Sequence, residues 1–132
     1  MLFAFLTVLV VGCVVPTRTL DLTVSNQTTL LVTVVLNGGV FGSVPPGEVH
    51  AMFVSGGSGP WLVEARAPSG RVLSSMTVRP GDVSETTNPD GSRTRRGAAV
   101  RVDLSCGRLD MWSGPPLAGP MPGPGTPGDC EP

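Results

Sequence analysis

The stretch from Trp61 to Arg79, WLVEARAPSGRVLSSMTVR, decides the fold class of this 132-residue chain. Before the Pro-Ser-Gly turn at residues 68–70, side chains alternate with a period of two, with Trp61, Val63 and Ala65 set against Leu62, Glu64 and Arg66. A period of two places successive side chains on opposite faces of a β-strand. The turn then returns the chain as a second strand over residues 71–79. The sequence therefore predicts an antiparallel hairpin with Trp61 on the inward face.

Segments with the same alternation lie on both sides of this hairpin, each bounded by Gly, Pro or Asn. We predict strands over residues 19–25, 29–36, 40–44, 48–54, 82–87, 92–96, 98–104 and 108–112. Residues 29–36 are apolar on both faces and end at Asn37-Gly38-Gly39, so they predict a central strand that closes a tight hairpin. In the segment 48–54, the alternation assigns Val49, Ala51 and Phe53 to the apolar face.

The fold class follows from seven to nine short strands, regularly spaced turns and the lack of helical periodicity. These features indicate an all-β protein, an antiparallel immunoglobulin-like β-sandwich, which we assign to residues 19–113. A small closed barrel is the alternative, because strand patterning does not distinguish the two. Residues 114–132 contain a run dominated by Gly and Pro, which predicts an extended or irregular strap lying against the sandwich.

The beginning of the chain carries a cysteine at the end of a short apolar run. Residues 2–11 are too few to span a bilayer, which takes about twenty helical residues, and they are typical of an export signal. The run ends in Val10-Val11-Gly12-Cys13, which resembles the lipobox of bacterial lipoproteins. The resemblance implies a signal segment over residues 1–12, a diacylglyceryl group on the Cys13 sulfur and a short tether over residues 13–18. It also implies an extracytoplasmic protein anchored to a bacterial membrane.

Other interpretations of this segment stay open. No residue before Leu2 is basic, whereas export signals begin with a positively charged region. A start site further upstream would explain this difference. Otherwise the segment is an ordinary secretory signal cut near Pro16, or a first buried strand.

Two cysteines remain once Cys13 is set aside, Cys106 and Cys130. Outside the cytosol, an even pair in a small domain is most simply a disulfide. The pair lacks the Cys-x-x-Cys spacing of redox-active thiols. We therefore expect a structural cross-link that pins the Gly- and Pro-rich strap at both ends.

Charge and composition argue against several classes of function. Nine basic and ten acidic residues give a net charge of −1, so nothing in the electrostatics favours nucleic acid. Every basic residue is Arg, which leaves no lysine for a Schiff base or a phosphate-binding loop. His50 is the only histidine, and no Gly-x-Ser-x-Gly motif is present. We expect no catalytic residue, no cofactor and no enzymatic activity.

A basic cluster and a glycosylation-like motif are the remaining surface features. Arg93, Arg95 and Arg96 follow the turn at residues 88–91, where they can bind phosphate headgroups or an acidic partner, or simply solubilise the hairpin. Asn26-Gln27-Thr28 matches a glycosylation acceptor, and we interpret it as a turn.

Two hypotheses of different classes result. The first is a non-enzymatic envelope lipoprotein, a structural or protein-binding β-module held to the membrane by Cys13 and in contact with another envelope protein through an edge strand or loops. The second is an exported copper or redox protein, because imidazole and sulfur suit copper. Its ligands would be His50, Cys106 and a methionine from among Met52, Met76 and Met111. A blue-copper centre needs a second histidine, which this sequence does not contain.

Overall fold

The computed structural model describes residues 12, 19–57, 59–80, 84–87, 89–91, 93–113 and 130–132. These residues contain ten β-strands and no helix. In chain order the strands are β1 Thr19–Gln27, β2 Val32–Leu36, β3 Gly39–Val44, β4 Val49–Ser55, β5 Trp61–Arg66, β6 Val72–Val78, β7 Ser84–Thr87, β8 Arg93–Arg96, β9 Ala99–Leu104 and β10 Gly107–Ser113.

Eight of the ten strands form two four-stranded sheets in which every pairing is antiparallel. The first sheet has the strand order β4-β1-β10-β9, and the second has the order β3-β2-β5-β6. The remaining two strands, β7 and β8, pair with each other as a separate two-stranded ribbon. The prediction of an all-β antiparallel sandwich is thus confirmed, and β2 is a central strand as expected.

The strand order sets this sandwich apart from the constant-type immunoglobulin domain. There the first strand lies at the edge of its sheet, whereas β1 here lies between β4 and β10. The first and last sandwich strands pair from Leu22 with Ser113 to Gln27 with Arg108. The two ends of the sandwich segment are therefore held together in the first sheet.

The hydrophobic core lies between the two sheets. The first sheet contributes Leu20, Leu22, Val24, Leu109 and Met111, and the second contributes Val32, Val34, Val44, Trp61, Val63, Ala65, Met76 and Val78. Trp61 is 4% exposed, which confirms its predicted inward orientation. Burial of apolar side chains from both sheets is the main favourable contribution to the stability of such a fold.

The β2–β3 hairpin turns at Asn37 and Gly38, as the sequence predicts. Their φ angles are +48° and +85°, and positive values at both central positions match the twist of the flanking strands in a tight hairpin. The side-chain oxygen of Asn37 also accepts a hydrogen bond from the backbone N–H of Leu62, at 2.8 Å. The turn is therefore tied to β5 as well as to its own strands.

The predicted face of β4 is wrong. Val49 and Phe53 are each 60% exposed and Ala51 is exposed, whereas Met52 and Val54 pack against the core. Both faces of this edge strand carry apolar residues, so the alternation alone does not determine which face turns inward. The pairing of β4 with β1 determines it, since Met52 lies opposite the buried Leu22.

A buried polar cluster joins the sheets near the end of β1. Asn26 is fully buried, and its Nδ2 donates hydrogen bonds to the carbonyls of Val44 at 2.8 Å and Leu30 at 2.7 Å. Its Oδ1 accepts from the N–H of Thr28 at 3.0 Å and from the Thr28 hydroxyl at 2.6 Å. The amide of the Asn-x-Thr motif thus has its donors and its acceptor satisfied inside the fold, as buried polar groups require.

Candidate functional site

Cys13 and the predicted tether, residues 13–18, lie outside the residues that the structure describes. The first strand begins at Thr19, which pairs with Ser55 at the end of β4. Five residues separate Cys13 from Thr19, and an extended chain covers about 3.5 Å per residue. The predicted tether therefore connects to the Thr19 end of the first sheet.

Cys106 and Cys130 form a disulfide, with a Cα–Cα distance of 5.4 Å. Cys106 lies in the turn between β9 and β10. Close to Cys130, the carbonyl of Glu131 accepts a hydrogen bond from Nη2 of Arg71 at 2.9 Å. The predicted pairing is therefore present, and the end of the chain is fixed to the sandwich at two points. Of the predicted strap, residues 114–132, the structure describes only residues 130–132.

The residues of the copper hypothesis have other roles in the structure. Nε2 of His50 lies 2.6 Å from Oε2 of Glu48, and both side chains are exposed. Met76 and Met111 are core residues at 8% and 0% exposure. The sulfur of Cys106 is bonded to Cys130, so it binds a metal only after reduction. Within the described part of the chain, no group of three or more His, Cys, Asp or Glu is arranged to hold a metal ion.

The three candidate arginines lie on β8. The backbone register places Thr87 opposite Arg93, Glu85 opposite Arg95 and Ser84 opposite Arg96. The β7–β8 ribbon, predicted as a protruding polar hairpin, follows β6 and precedes β9 in the chain. The structure thus brings Arg93, Arg95 and Arg96 onto one strand of the β7–β8 ribbon.

The sequence did not reveal an ionic cluster on the outer face of the first sheet. Asp110, on β10, lies between Arg101 of β9 and Arg108 of β10. Its Oδ2 is 3.0 Å from Nε of Arg108, its Oδ1 accepts from Nε of Arg101, and its side chain is only 10% exposed. The ion pair between Asp110 and Arg101 joins β10 to β9 and favours their register, so we assign this cluster a structural role.

Two edge strands, β3 and β4, carry exposed apolar side chains. Val49, Ala51 and Phe53 form the outer face of β4, and we call these three residues the β4 stripe. β3 is the edge of the second sheet, where Val40 is 77% and Phe41 39% exposed. A Cβ added at Gly42 of β3 would lie 3.4 Å from Cε of Met52, so the inward-facing Met52 side chain reaches from β4 to β3.

Comparisons with known proteins leave the functional interpretation to the residues themselves. No protein-family model matches the chain, and no curated protein or solved structure shows significant similarity to it. Among the described residues there is no helix of the length and apolar character needed to span a membrane.

Proposed function

We propose that this chain is a non-enzymatic lipoprotein of a bacterial envelope, anchored through Cys13, whose β-sandwich is a structural or protein-binding module. The observation that carries the proposal is the disulfide between Cys106 and Cys130. Disulfides persist in oxidising compartments and are rare in the cytosol. The disulfide thus agrees with the export signal that residues 1–12 resemble.

The length of the tether supports a module that works close to the bilayer. Residues 14–18, between Cys13 and β1, extend over at most about 20 Å. Each buried CH₂ of an acyl chain contributes about 0.8 kcal/mol, and two or more chains anchor a protein stably. The sandwich would then stay near the lipid headgroups with its Thr19 end toward them.

The exposed edge strands support the binding role. Backbone groups at a sheet edge form hydrogen bonds with an added strand, and alternate side chains give that contact its specificity. β4 provides both features, since it is an edge strand with the apolar stripe on its outer face. β4 is therefore the strand through which we propose contact with another protein of the envelope.

Metabolic labelling with a fatty-acid probe tests the anchor. We expect the wild-type protein to be labelled and the Cys13→Ser variant to be unlabelled. The Cys106→Ser/Cys130→Ser double variant is the matched control, because it also loses thiols but keeps the predicted lipid site. Equal labelling of the wild type and Cys13→Ser, or no labelling of the wild type, would refute the proposal.

A further inference from the structure

Among the described strands, β4 is an edge strand that pairs with β1 on one side only. We propose that two copies pair through antiparallel β4 strands, so that their first sheets join into one continuous sheet of eight strands. This inference deepens the proposed function, on which it rests for the role of a protein-binding module, by naming the partner.

β4 differs from the other three edge strands of the sandwich. It is seven residues long, has no charged residue and no proline, and pairs with β1 without a register shift. By contrast, the register shifts between Val34 and Val35 where β2 pairs with β3, and between Ala65 and Arg66 where β5 pairs with β6. β9 carries Arg101 and Asp103. Bulges and charges are the features by which proteins protect sheet edges, so β4 is the edge best suited to accept a strand.

The backbone of β4 presents hydrogen-bonding groups to the open edge at the residues of the stripe. The carbonyl of Glu48 accepts a hydrogen bond from the N–H of Asn26 on β1, at 2.9 Å. Backbone groups in an antiparallel ladder face alternate sides along the strand. The N–H and C=O groups of Val49, Ala51 and Phe53 therefore point away from β1. In the described part of the chain, no strand lies on that side of β4.

The stripe is complementary to itself about Ala51. A two-fold axis through Ala51 places Val49 of each copy opposite Phe53 of the other, and Ala51 opposite Ala51. Pairs of an aromatic with a β-branched side chain are favourable neighbours across antiparallel strands. No charged residue occurs between Val49 and Ser55, so the pairing brings no like charges together.

The size of the contact predicts a weak dimer. One strand pairing with the side chains of the β4 stripe belongs at the low end of specific interfaces, below about 1,200 Å² in total. Dimerisation in solution is thus reversible. Lipid anchoring of both copies in one membrane would raise their effective concentration and favour the dimer.

Cysteine trapping in the purified full-length chain tests the pairing directly. Residues that exchange both backbone hydrogen bonds have Cα atoms about 5.5 Å apart, a separation that a disulfide bridges without strain. We expect Ala51→Cys to give a cross-linked dimer under mild oxidation. Ser75→Cys, an exposed residue on the β6 edge, is the matched control and should give several-fold less. Equal cross-linking of the two variants would overturn the proposal.

Charged substitutions added to the Ala51→Cys variant test the register in which the two β4 strands pair. We expect Val49→Lys or Phe53→Glu alone to reduce cross-linking several-fold, because each places a charge opposite an apolar side chain. The double variant should restore cross-linking, since each lysine then faces a glutamate of the other copy. A double variant that stays as low as the single variants would contradict the two-fold axis at Ala51.

A repeat of the cross-linking experiment tests the strand pairing independently of the lipid anchor. The repeat uses the Cys13→Ser/Ala51→Cys variant, which lacks the predicted acylation site and cannot cross-link through the Cys13 thiol. A dimer in both backgrounds supports the pairing whatever the fatty-acid labelling gives. In cells, a cross-link from Ala51→Cys to a different protein in place of a second copy would refute the self-pairing and leave the anchor unaffected.

Discussion

The side-chain amide of Asn26, on β1, donates a hydrogen bond to the backbone carbonyl of Val44, on β3, across 2.8 Å. β1 belongs to the first sheet and β3 to the second, so this bond joins the two sheets directly. The same side chain shapes the connection to β2 through Thr28 and Leu30. A directional polar contact thus fixes how the chain crosses between sheets that are otherwise joined mainly by apolar packing.

Asn26→Ala is expected to destabilise the fold strongly. It leaves the carbonyl of Val44 without its Asn26 hydrogen bond in a buried position, and an unsatisfied buried group costs about 1 to 3 kcal/mol. With the contacts to Leu30 and Thr28 also lost, we expect the free energy of unfolding to fall by about 3 kcal/mol in urea denaturation. Gln27→Ala, at the exposed neighbour, should change it by less than about 0.5 kcal/mol. Similar midpoints for both variants would disprove the role of Asn26.

The disulfide is expected to stabilise the folded state through the loop that it closes. Cys106 and Cys130 are 24 residues apart, and a loop of this length corresponds to about 3.5 kcal/mol in the chain-entropy model. We expect a reducing agent to lower the unfolding temperature of the wild type. The Cys106→Ser/Cys130→Ser double variant should already unfold at the lower temperature and show no response to the reductant. A wild type insensitive to reduction would argue against a stabilising disulfide.

The orientation of β4 predicts that substitutions at two neighbouring residues destabilise the fold to different extents. Met52 packs against the core, so Met52→Ala should lower the free energy of unfolding by about 1.5 kcal/mol, less than for a fully buried methionine. Phe53 is 60% exposed, so Phe53→Ala should change it by less than about 0.5 kcal/mol. Both variants are measured by chemical denaturation of dilute, monomeric protein. A larger loss for Phe53→Ala would restore the orientation that simple alternation suggests.

Two glycines with positive φ angles allow backbone strain to be separated from steric contact. Gly38 has φ +85° with open space around it, whereas Gly107 has φ +134° and a Cβ there would collide with the carbonyl of Gln27 on β1. Gly38→Ala should lower the free energy of unfolding by about 1 kcal/mol, because alanine adopts a positive φ angle less readily than glycine. Gly107→Ala should lower the free energy of unfolding by at least about 2 kcal/mol more than Gly38→Ala, because β1 and β10 must separate to make room for the new Cβ. If thermal denaturation shows equal destabilisation by the two variants, the close contact of Gly107 with β1 is unimportant.

Local sequence patterns predicted most of the strands in this chain. The hairpin from Trp61 to Arg79 has both strands within one residue of the predicted bounds, because its alternation and its Pro-Ser-Gly turn are encoded next to each other. The β2 strand begins at Val32, three residues later than predicted. The residues before it are held by Asn26 through Thr28 and Leu30, a contact that alternation does not encode.

Pairings between distant segments could not be predicted from local patterns. Nothing in the sequence of β1 indicates that it pairs with β10, and the inward face of β4 depends on its long-range register with β1. The cysteine pairing was predictable because only two cysteines remain beside Cys13. The β4 stripe was missed as a surface because apolar residues on an edge strand give the same period as apolar residues in a core.

The mass of the N-terminal fragment of protein purified from membranes tests the central claim most directly. The lipid-anchored account predicts that this fragment begins at Cys13 and carries the mass of a diacylglyceryl group on its sulfur. A fragment that begins at Met1, or at a residue after Cys13, without any lipid mass would contradict it.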